Sequence, residues 1–236
     1  MIKSLALLYY KIISCYWHQP KIFDSLKNLR INYIFDVGSH KGESIDYFIE
    51  LKNLKIIHSF EPQNDIFLIL KNKYKKNKKI LLNKIAFSNE ENYKNFYIND
   101  LSSTSTFSKL DRNSLWLKIK NKIINKKNSI IKKIKIKTST IDNFVKQNKI
   151  KKIDLLKIDT EGHEFEILNG AKKTIQDGKI RYLLIELHYS KMYKKYSKKN
   201  IENFLKKNNF HLVKIFKFPF FTFSDNLYKY QKNIKV

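Results

Sequence analysis

Two segments of this chain share one pattern: an apolar strand that ends in an aspartate, a tight glycine turn and the start of a helix. They are YIFDVGSHKGES (residues 33–44) and IDLLKIDTEGHEFEILNG (residues 153–170). Of the five glycines in 236 residues, Gly38, Gly42 and Gly162 fall in these turns, where the backbone must bend sharply or let a ligand approach. Such units predict parallel strands whose carboxyl ends carry a small-molecule site.

Apolar and alternating segments predict the remaining elements. The predicted strands are 33–37, 55–62, 80–88, 95–99, 133–137, 153–159, 181–188 and 210–216, with one more in the tail. The predicted helices are 4–28, 43–51, one from residue 65, 115–132, the IDNFVKQ segment capped by Thr140, 164–176 and 201–208. Strands that alternate with helices predict an α/β, doubly wound, mostly parallel sheet. We expect one domain over residues 31–236, with residues 1–30 as an N-terminal helical segment packed on it.

The formal charge of +27 at first suggests a partner such as nucleic acid or an anionic membrane. The chain has only three arginines, however, and a surface selected to bind phosphate should retain arginine. Abundant Lys, Asn and Ile instead indicate compositional drift, as in an AT-rich genome, so that specific nucleic-acid binding is not expected. The single Cys15 excludes an internal disulfide framework and a thiolate zinc cluster, and we expect no metal.

The N-terminal sequence MIKSLALLYYKIISCYW is apolar but is interrupted by Lys11 and is shorter than a membrane span. We interpret it as a helix that covers part of the core. The alternative is an interfacial helix held at a membrane surface by Lys3, Lys11 and Trp17. The predicted location is therefore cytoplasmic, with peripheral contact to the inner face of the membrane as the alternative.

The first glycine turn does not fit a dinucleotide site, which would need three glycines in the pattern GxGxxG. Asp36, two residues before Gly38, would repel a phosphate but would suit a cationic cofactor group, such as the ammonium or sulfonium of S-adenosylmethionine. Glu61 ends the next strand and can accept hydrogen bonds from both ribose hydroxyls. At the third strand end, Ala86 and Phe87 would flank an adenine.

The second turn holds three carboxylates and an imidazole within six residues. Methyl transfer to oxygen requires an aligned acceptor and a general base for its hydroxyl proton. Asp159, Glu161 and His163 are the candidate catalytic residues, with the identity of the base left open. Glu164 is better explained by a favourable interaction with the helix N-terminus.

Other polar residues are expected at the same edge of the sheet. Lys157 lies in a strand that should be buried, so its ammonium needs a partner, for which Asp36 is the candidate. Glu186 and His188 end the last clear strand and are candidates to line the acceptor pocket. Ser103, in the LSSTSTFS loop (101–108), is a further candidate for binding the acceptor.

FDVGSHKGES, SFEP, IAFS, TSTIDNFV and above all IDLLKIDTEGHEFEILNGA resemble the FkbM-type methyltransferases, over about Tyr33 to His188. The resemblance implies a class I, Rossmann-like methyltransferase fold with an antiparallel strand near the C-terminus, S-adenosylmethionine as cofactor and O-methylation of a hydroxyl, often on a sugar. It places Asp36, Gly38 and Gly42 at the methionine end of the cofactor and Glu61 at the ribose. Asp159 and Glu161 would then face the transferred methyl group or the acceptor, and Ser39 is a further candidate for binding the cofactor. This sequence has Ser39 and His40 where the family usually has Ala-Asn.

The predicted function is methylation of a glycan hydroxyl or a related small polyol, with the acceptor bound as a small molecule or glycan. Two alternatives stay open: a nucleic-acid or RNA methyltransferase, and a non-catalytic module with this fold tethered at a membrane surface.

Overall fold

The computed structural model of the protein describes residues 12–99, 102–111, 113–114, 118, 130–189, 192–219 and 223–232. Its strands are β1 (Tyr33–Val37), β2 (Ile56–Phe60), β3 (Ile80–Asn83), β4 (Ala86–Phe87), β5 (Tyr93–Asn99), β6 (Ile130–Ser139), β7 (Ile153–Ile158), β8 (Ile180–His188), β9 (Phe210–Lys217) and β10 (Phe223–Tyr230). Its helices are α1 (Gln19–Leu26), α2 (Glu43–Phe48), α3 (Asn64–Tyr74), α4 (Ile141–Gln147), α5 (Glu164–Asn169), α6 (Lys172–Gln176) and α7 (Lys198–Lys207), with a π-helical turn over Ser14–His18 before α1.

The main sheet has the order β3-β2-β1-β7-β8-β10-β9. Strands β3, β2, β1, β7 and β8 are parallel, whereas β10 runs antiparallel to both β8 and β9. This arrangement confirms the predicted doubly wound α/β sheet with antiparallel pairing near the C-terminus. The chain order reverses between β1 and β7, and in open sheets of this type ligands bind at such a switch point, beyond the carboxyl ends of the strands.

Apolar side chains lie on both faces of the central strands, of which β7 is buried throughout and β1 is buried from Ile34 onward. Phe35 and Leu156 face one hydrophobic cluster, while their neighbours Ile34 and Leu155 face the other. Successive residues of a strand point to opposite faces, so continuous apolar runs such as these require a layer of helices on each side.

A second sheet has three strands in the order β4-β6-β5, and its strands β5 and β6 lie where strands 95–99 and 133–137 were predicted. The predicted strand 80–88 is wrong as a single element: β3 ends at Asn83, and Ala86 and Phe87 then pair with Thr138 and Ser139 of β6. An apolar run carries no information about which sheet each half will join. This small sheet brings Ala86 and Phe87 to the edge that holds the glycine turns.

The predicted single helix over 164–176 is also wrong, because it is two helices joined at Gly170 and Ala171. The Asp142 carboxylate accepts hydrogen bonds from the amides of Lys173 and Thr174, so it supplies a cap that begins α6 afresh. The predicted cap of α4 is confirmed, since Thr140 accepts a hydrogen bond from the Asn143 amide at 3.0 Å.

Part of the predicted helix 115–132, including Trp116, Ile119, Ile123 and Ile124, lies outside the described residues, and its last residues (130–132) belong instead to β6. Residues 4–11 of the predicted N-terminal helix are likewise not described. Within the described part of the chain, none of the helices has the length and apolar character that crossing a membrane requires.

Candidate active site

A cleft that is open to solvent lies at the carboxyl ends of β1, β2 and β7, beside the small sheet. Eight of the sequence-predicted site residues line it: Gly38, Glu61, Ala86, Phe87, Ser103, Asp159, Glu161 and His163. The two glycine turns and the small sheet therefore enclose one common space.

The other predicted site residues lie outside this lining. Asp36 and Ser39 are buried behind it, and Gly42 begins α2 with a left-handed backbone (φ 85°). Glu186 and His188 are buried at the end of β8.

Lys157 connects the two turns from within the sheet. Its ammonium lies 3.4 Å from Asp36 Oδ1 and 3.1 Å from Asp159 Oδ2, which confirms Asp36 as a predicted partner. Burial by itself would lower the pKa of Lys157, but the charges of Asp159 and Asp36 outweigh it and raise the pKa. The side chain is thus a fixed positive charge between two strand ends.

Asp36 is completely buried, and neither of its carboxylate oxygens accepts a hydrogen bond. Burial raises its pKa, against the opposing charge of Lys157. A buried carboxylate in this condition would gain from a further positive charge. Ser39, which follows it in the turn, donates a hydrogen bond to the Asp36 carbonyl oxygen at 2.8 Å and holds the turn closed.

Glu61 faces the cleft from the end of β2. Its two oxygens accept hydrogen bonds from the amides of His40 (3.1 Å) and Gln63 (2.8 Å). Burial raises its pKa, and these amides oppose that shift. Because each oxygen has a further lone pair, the carboxylate can accept additional hydrogen bonds from a bound ligand.

The second turn is built around the buried side chain of Glu164. One oxygen, Oε1, accepts hydrogen bonds from the amides of Thr160 and Gly162 and from the Thr160 hydroxyl. The other, Oε2, has no partner, and burial raises the pKa of Glu164 to about 8. Glu161 has a left-handed backbone (φ 55°), which strains the turn. The hydrogen bonds to Glu164 hold the turn in this conformation, in which Asp159 and Glu161 face the cleft.

Asp159, which lines the cleft, and the buried Glu186 are neighbouring carboxyl groups, and each affects the pKa of the other. Burial would raise the pKa of Asp159, but Lys157 and the hydrogen bond with Glu186 lower it. Burial, together with the charges of Asp159 and Glu161, raises the pKa of Glu186 well above its ordinary value. Asp159 is therefore the ionised member, and Glu186 carries the proton.

Tyr193 was not identified from the sequence, although it completes the second turn. Its hydroxyl donates a hydrogen bond to Glu161 Oε2, and its ring lies 5.1 Å from the ring of His188. A Cβ at position 162 would lie 2.5 Å from this ring, so Gly162 makes room for it. The lysine- and tyrosine-rich sequence around Tyr193 gave no signal that separated it from its neighbours.

His163 is buried, and its Nε2 is hydrogen-bonded to the Ser88 hydroxyl at 2.9 Å. Its ring also packs 5.0 Å from that of Phe107. Burial lowers its pKa to about 3, which makes it a poor general base near neutral pH. The geometry favours a role in joining the second turn to the end of β4.

Residues 102–108, here called the strap, cross the cleft and are bonded to both glycine turns. At one end, the Ser102 hydroxyl lies 2.8 Å from His40 Nε2. At the other, the hydroxyls of Thr106 and Ser108 donate to the carbonyl oxygens of Glu161 and Gly162, each at 2.7 Å.

The strap supplies Ser102, Ser103, Ser105 and Phe107 to the lining. Phe107 was missed in the sequence, where its only signal is an aromatic residue among hydroxyl residues. His40, Gln63 and Phe96 also line the cleft without having been predicted to do so.

The sequence matches the profile described as Methyltransferase FkbM domain over residues 36–212. The hexuronic acid methyltransferase AglP of Haloferax volcanii is 34% identical over 53 residues, which are 22% of this chain and 21% of the relative. The chain thus spans only about a fifth of the length of that curated relative.

Among solved structures, the methyltransferase FkbM from Methylobacillus flagellatus KT has a TM-score of 0.55 at 16% identity, over 85% of this chain and 44% of that one. TrmK of M. capricolum, solved with S-adenosyl-homocysteine, has a TM-score of 0.51 at 14% identity, over 89% and 68%. A SAM-dependent methyltransferase from Aquifex aeolicus has a TM-score of 0.51 at 11% identity, over 92% and 93%. At these identities the likeness is one of fold.

Proposed function

This chain belongs to the FkbM methyltransferase family, and we propose that it is an S-adenosylmethionine-dependent enzyme that methylates a hydroxyl of a sugar, glycan or related small polyol. The observation that carries the proposal is the meeting of two strand-end turns at one cleft, with Asp36 behind the first turn, Asp159 facing the cleft from the second and Lys157 between them.

The residues of the first turn fit a cationic cofactor. Asp36 is a buried carboxylate whose oxygens accept no hydrogen bond, and a nearby positive charge would offset the cost of its ionisation. Glu61 retains lone pairs for ribose hydroxyls, and Ala86 and Phe87 offer an apolar wall for a base. S-adenosylmethionine, when bound, supplies a methyl group activated by a positively charged sulfur.

The second turn supplies the groups that would handle the acceptor. Asp159 is ionised and its side chain is about one third exposed (35%), so it can accept a hydrogen bond from an acceptor hydroxyl. In the proposed reaction it orients that hydroxyl by accepting its hydrogen bond. It takes up the proton only as the bond between the acceptor oxygen and the methyl carbon forms, when that proton becomes strongly acidic, and Lys157 keeps the carboxylate charged until then. Glu161, held by Tyr193, orients the acceptor from the other side.

Two observations support a sugar-like acceptor. The relative that is 34% identical over 53 residues is named a hexuronic acid methyltransferase. The cleft also presents the hydroxyls of Ser103 and Ser105 and the ring of Phe107, a combination suited to a polyhydroxylated ring. Among the described residues that line the cleft there is no lysine or arginine, which disfavours a phosphate-rich acceptor such as RNA at this place.

Calorimetric binding of S-adenosylhomocysteine at raised salt tests the cofactor assignment. We expect one-site binding by the wild type and a dissociation constant raised about tenfold or more in Asp36→Asn and in Glu61→Gln, since each loses a charge-dependent contact. The control is Glu202→Gln, on α7, where the Glu202 side chain is 44% exposed and lies 3.5 Å from the ammonium of Lys198; this variant should bind as the wild type does. Absence of binding by the wild type would overturn the proposal.

Transfer of a labelled methyl group to a panel of monosaccharides, nucleotide sugars and polyols then tests the acceptor class. We expect a methyl ether as product, and Asp159→Asn should retain S-adenosylhomocysteine binding while losing turnover by about a hundredfold, the usual scale for a general base. A product methylated on nitrogen or on RNA would contradict the hydroxyl assignment.

A further inference from the structure

One face of the N-terminal helical segment is exposed although it is apolar and aromatic. Ile12 is 46% exposed, Tyr16 81% and Trp17 43%, all within six residues at the start of the described chain. Single exposed apolar residues are ordinary on a protein surface, but a contiguous group marks an interaction site.

Other residues of the same segment are fixed to the body of the protein. His18 Nε2 lies 2.7 Å from Asp225 Oδ2, with both residues buried. Farther along, Ile22 and Leu26 are buried in the hydrophobic cluster beside β1. The exposed side chains are therefore displayed from a held element, and their exposure does not arise from a loose end.

The charge of the segment indicates what it contacts. The first 23 residues contain Lys3, Lys11 and Lys21 and no acidic residue, since Asp24 is the first carboxylate of the chain. The ammonium of Lys21 lies 3.2 Å from the centroid of the Trp17 ring, so a cation and an indole stand side by side. Basic residues with tryptophan and tyrosine on the apolar side are typical of helices that lie in the headgroup layer of a membrane.

We propose that this segment docks the protein onto an anionic phospholipid bilayer, with Ile12, Tyr16 and Trp17 entering the headgroup layer and Lys21 contacting anionic headgroups. The apolar, basic residues 1–11 continue the same composition toward the N-terminus. The proposal does not rest on the methyltransferase activity.

Docking would bring the active-site edge of the sheet toward the membrane. Asp225, the partner of His18, pairs in register with Glu186 near the carboxyl end of β8, and Glu186 neighbours Asp159, which lines the cleft. The anchored end of the segment thus lies at the edge of the sheet that holds the cleft.

Co-sedimentation of the full chain with large vesicles tests the proposal, using phosphatidylcholine alone and phosphatidylcholine with phosphatidylglycerol. We expect binding to the anionic vesicles. In Tyr16→Ser/Trp17→Ser, which leaves the net charge unchanged, partitioning should fall about tenfold or more, because two large side chains no longer leave water. The control Leu212→Ser/Val213→Ser removes two exposed apolar side chains of β9 and should bind as the wild type does.

A fluorescence measurement gives an independent readout. In a Trp116→Phe background Trp17 is the only tryptophan, and its emission should shift to shorter wavelength with anionic vesicles. Circular dichroism confirms that each variant is folded. The proposal is overturned if the wild type does not bind, if Tyr16→Ser/Trp17→Ser binds as strongly as the wild type, or if light scattering shows that the exposed face instead joins two copies of the chain.

Discussion

A Cβ atom at position 38 would lie 1.9 Å from the carbonyl oxygen of Asp159. The first turn thus packs directly against the backbone of the second at Gly38, where any other residue would place a side chain in the contact. The Asp159 amide also donates a hydrogen bond to the Val37 carbonyl oxygen at 3.0 Å. The distance between the two turns, and with it the width of the cleft, depends on this contact.

Gly38→Ala should destabilise the protein by about 3 kcal/mol or more, because a backbone-to-backbone clash adds to the strain of a positive φ. The matched control is Gly178→Ala, whose backbone is also left-handed (φ 65°) but whose Cβ would meet only the Tyr230 side chain, at 3.4 Å. It should cost about 1 kcal/mol. Urea unfolding of both variants measures the difference, and equal losses would show that φ alone matters.

Lys157→Met should destabilise the protein by about 3–5 kcal/mol, since it leaves Asp36 and Asp159 without their shared cation. Without the ammonium the pKa values of both carboxyls rise, so the deficit should shrink as pH falls and they become protonated. Urea unfolding of the wild type and the variant at pH 8 and pH 5 measures this loss of stability. In the control Lys152→Met the lysine is half-exposed, and the loss should stay within about 1 kcal/mol. A deficit that grows toward pH 5 would contradict this account.

Glu164→Gln should flatten the pH dependence of stability. The folded pKa of Glu164, about 8, exceeds the ordinary value of 4.5, so the folded state retains a proton that the unfolded state has lost. Stability therefore falls as pH rises from about 4.5 to 8, by at most about 1.4 kcal/mol per pH unit for one proton. Urea unfolding at several pH values should show this slope reduced in the variant. Identical slopes in the wild type and the variant would show that a group other than Glu164 causes the pH dependence.

His40→Ala should loosen the strap at its first end. The lost contact with Ser102 is worth about 1 kcal/mol, so amide hydrogen exchange in residues 102–108 should accelerate about fivefold. Ser102→Ala should have the same effect, and the double variant should add nothing, because one interaction is removed in each case. The control is Glu43→Gln, because Glu43 contacts the other ring nitrogen of His40. Additive effects would argue against the His40–Ser102 contact.

The parts of the structure that could be predicted depend on local pattern. Continuous apolar strands beside helices were enough for the parallel sheet, and a lysine inside such a strand was enough to require a carboxylate partner, which proved to include Asp36. In each case the physical requirement lies within one segment or between adjacent strands.

The parts that could not be predicted depend on distant contacts. Nothing in residues 80–88 indicates that Ala86 and Phe87 leave the main sheet to pair with β6. The carboxylate that begins α6 comes from Asp142, about thirty positions earlier in the sequence. Tyr193 reaches Glu161 only because the fold brings the loop after β8 over the second turn. These contacts are specified by tertiary packing, which sequence periodicity does not report.

The small sheet has a consequence for how this enzyme class could be diversified. Asn99 at the end of β5 and Ile130 at the start of β6 are register partners, and the strap between them returns to β5, where Thr106 pairs with Tyr97. A segment exchanged between these two positions would have to keep this return to the sheet. Grafting the strap between relatives in this way would test whether it selects the proposed acceptor.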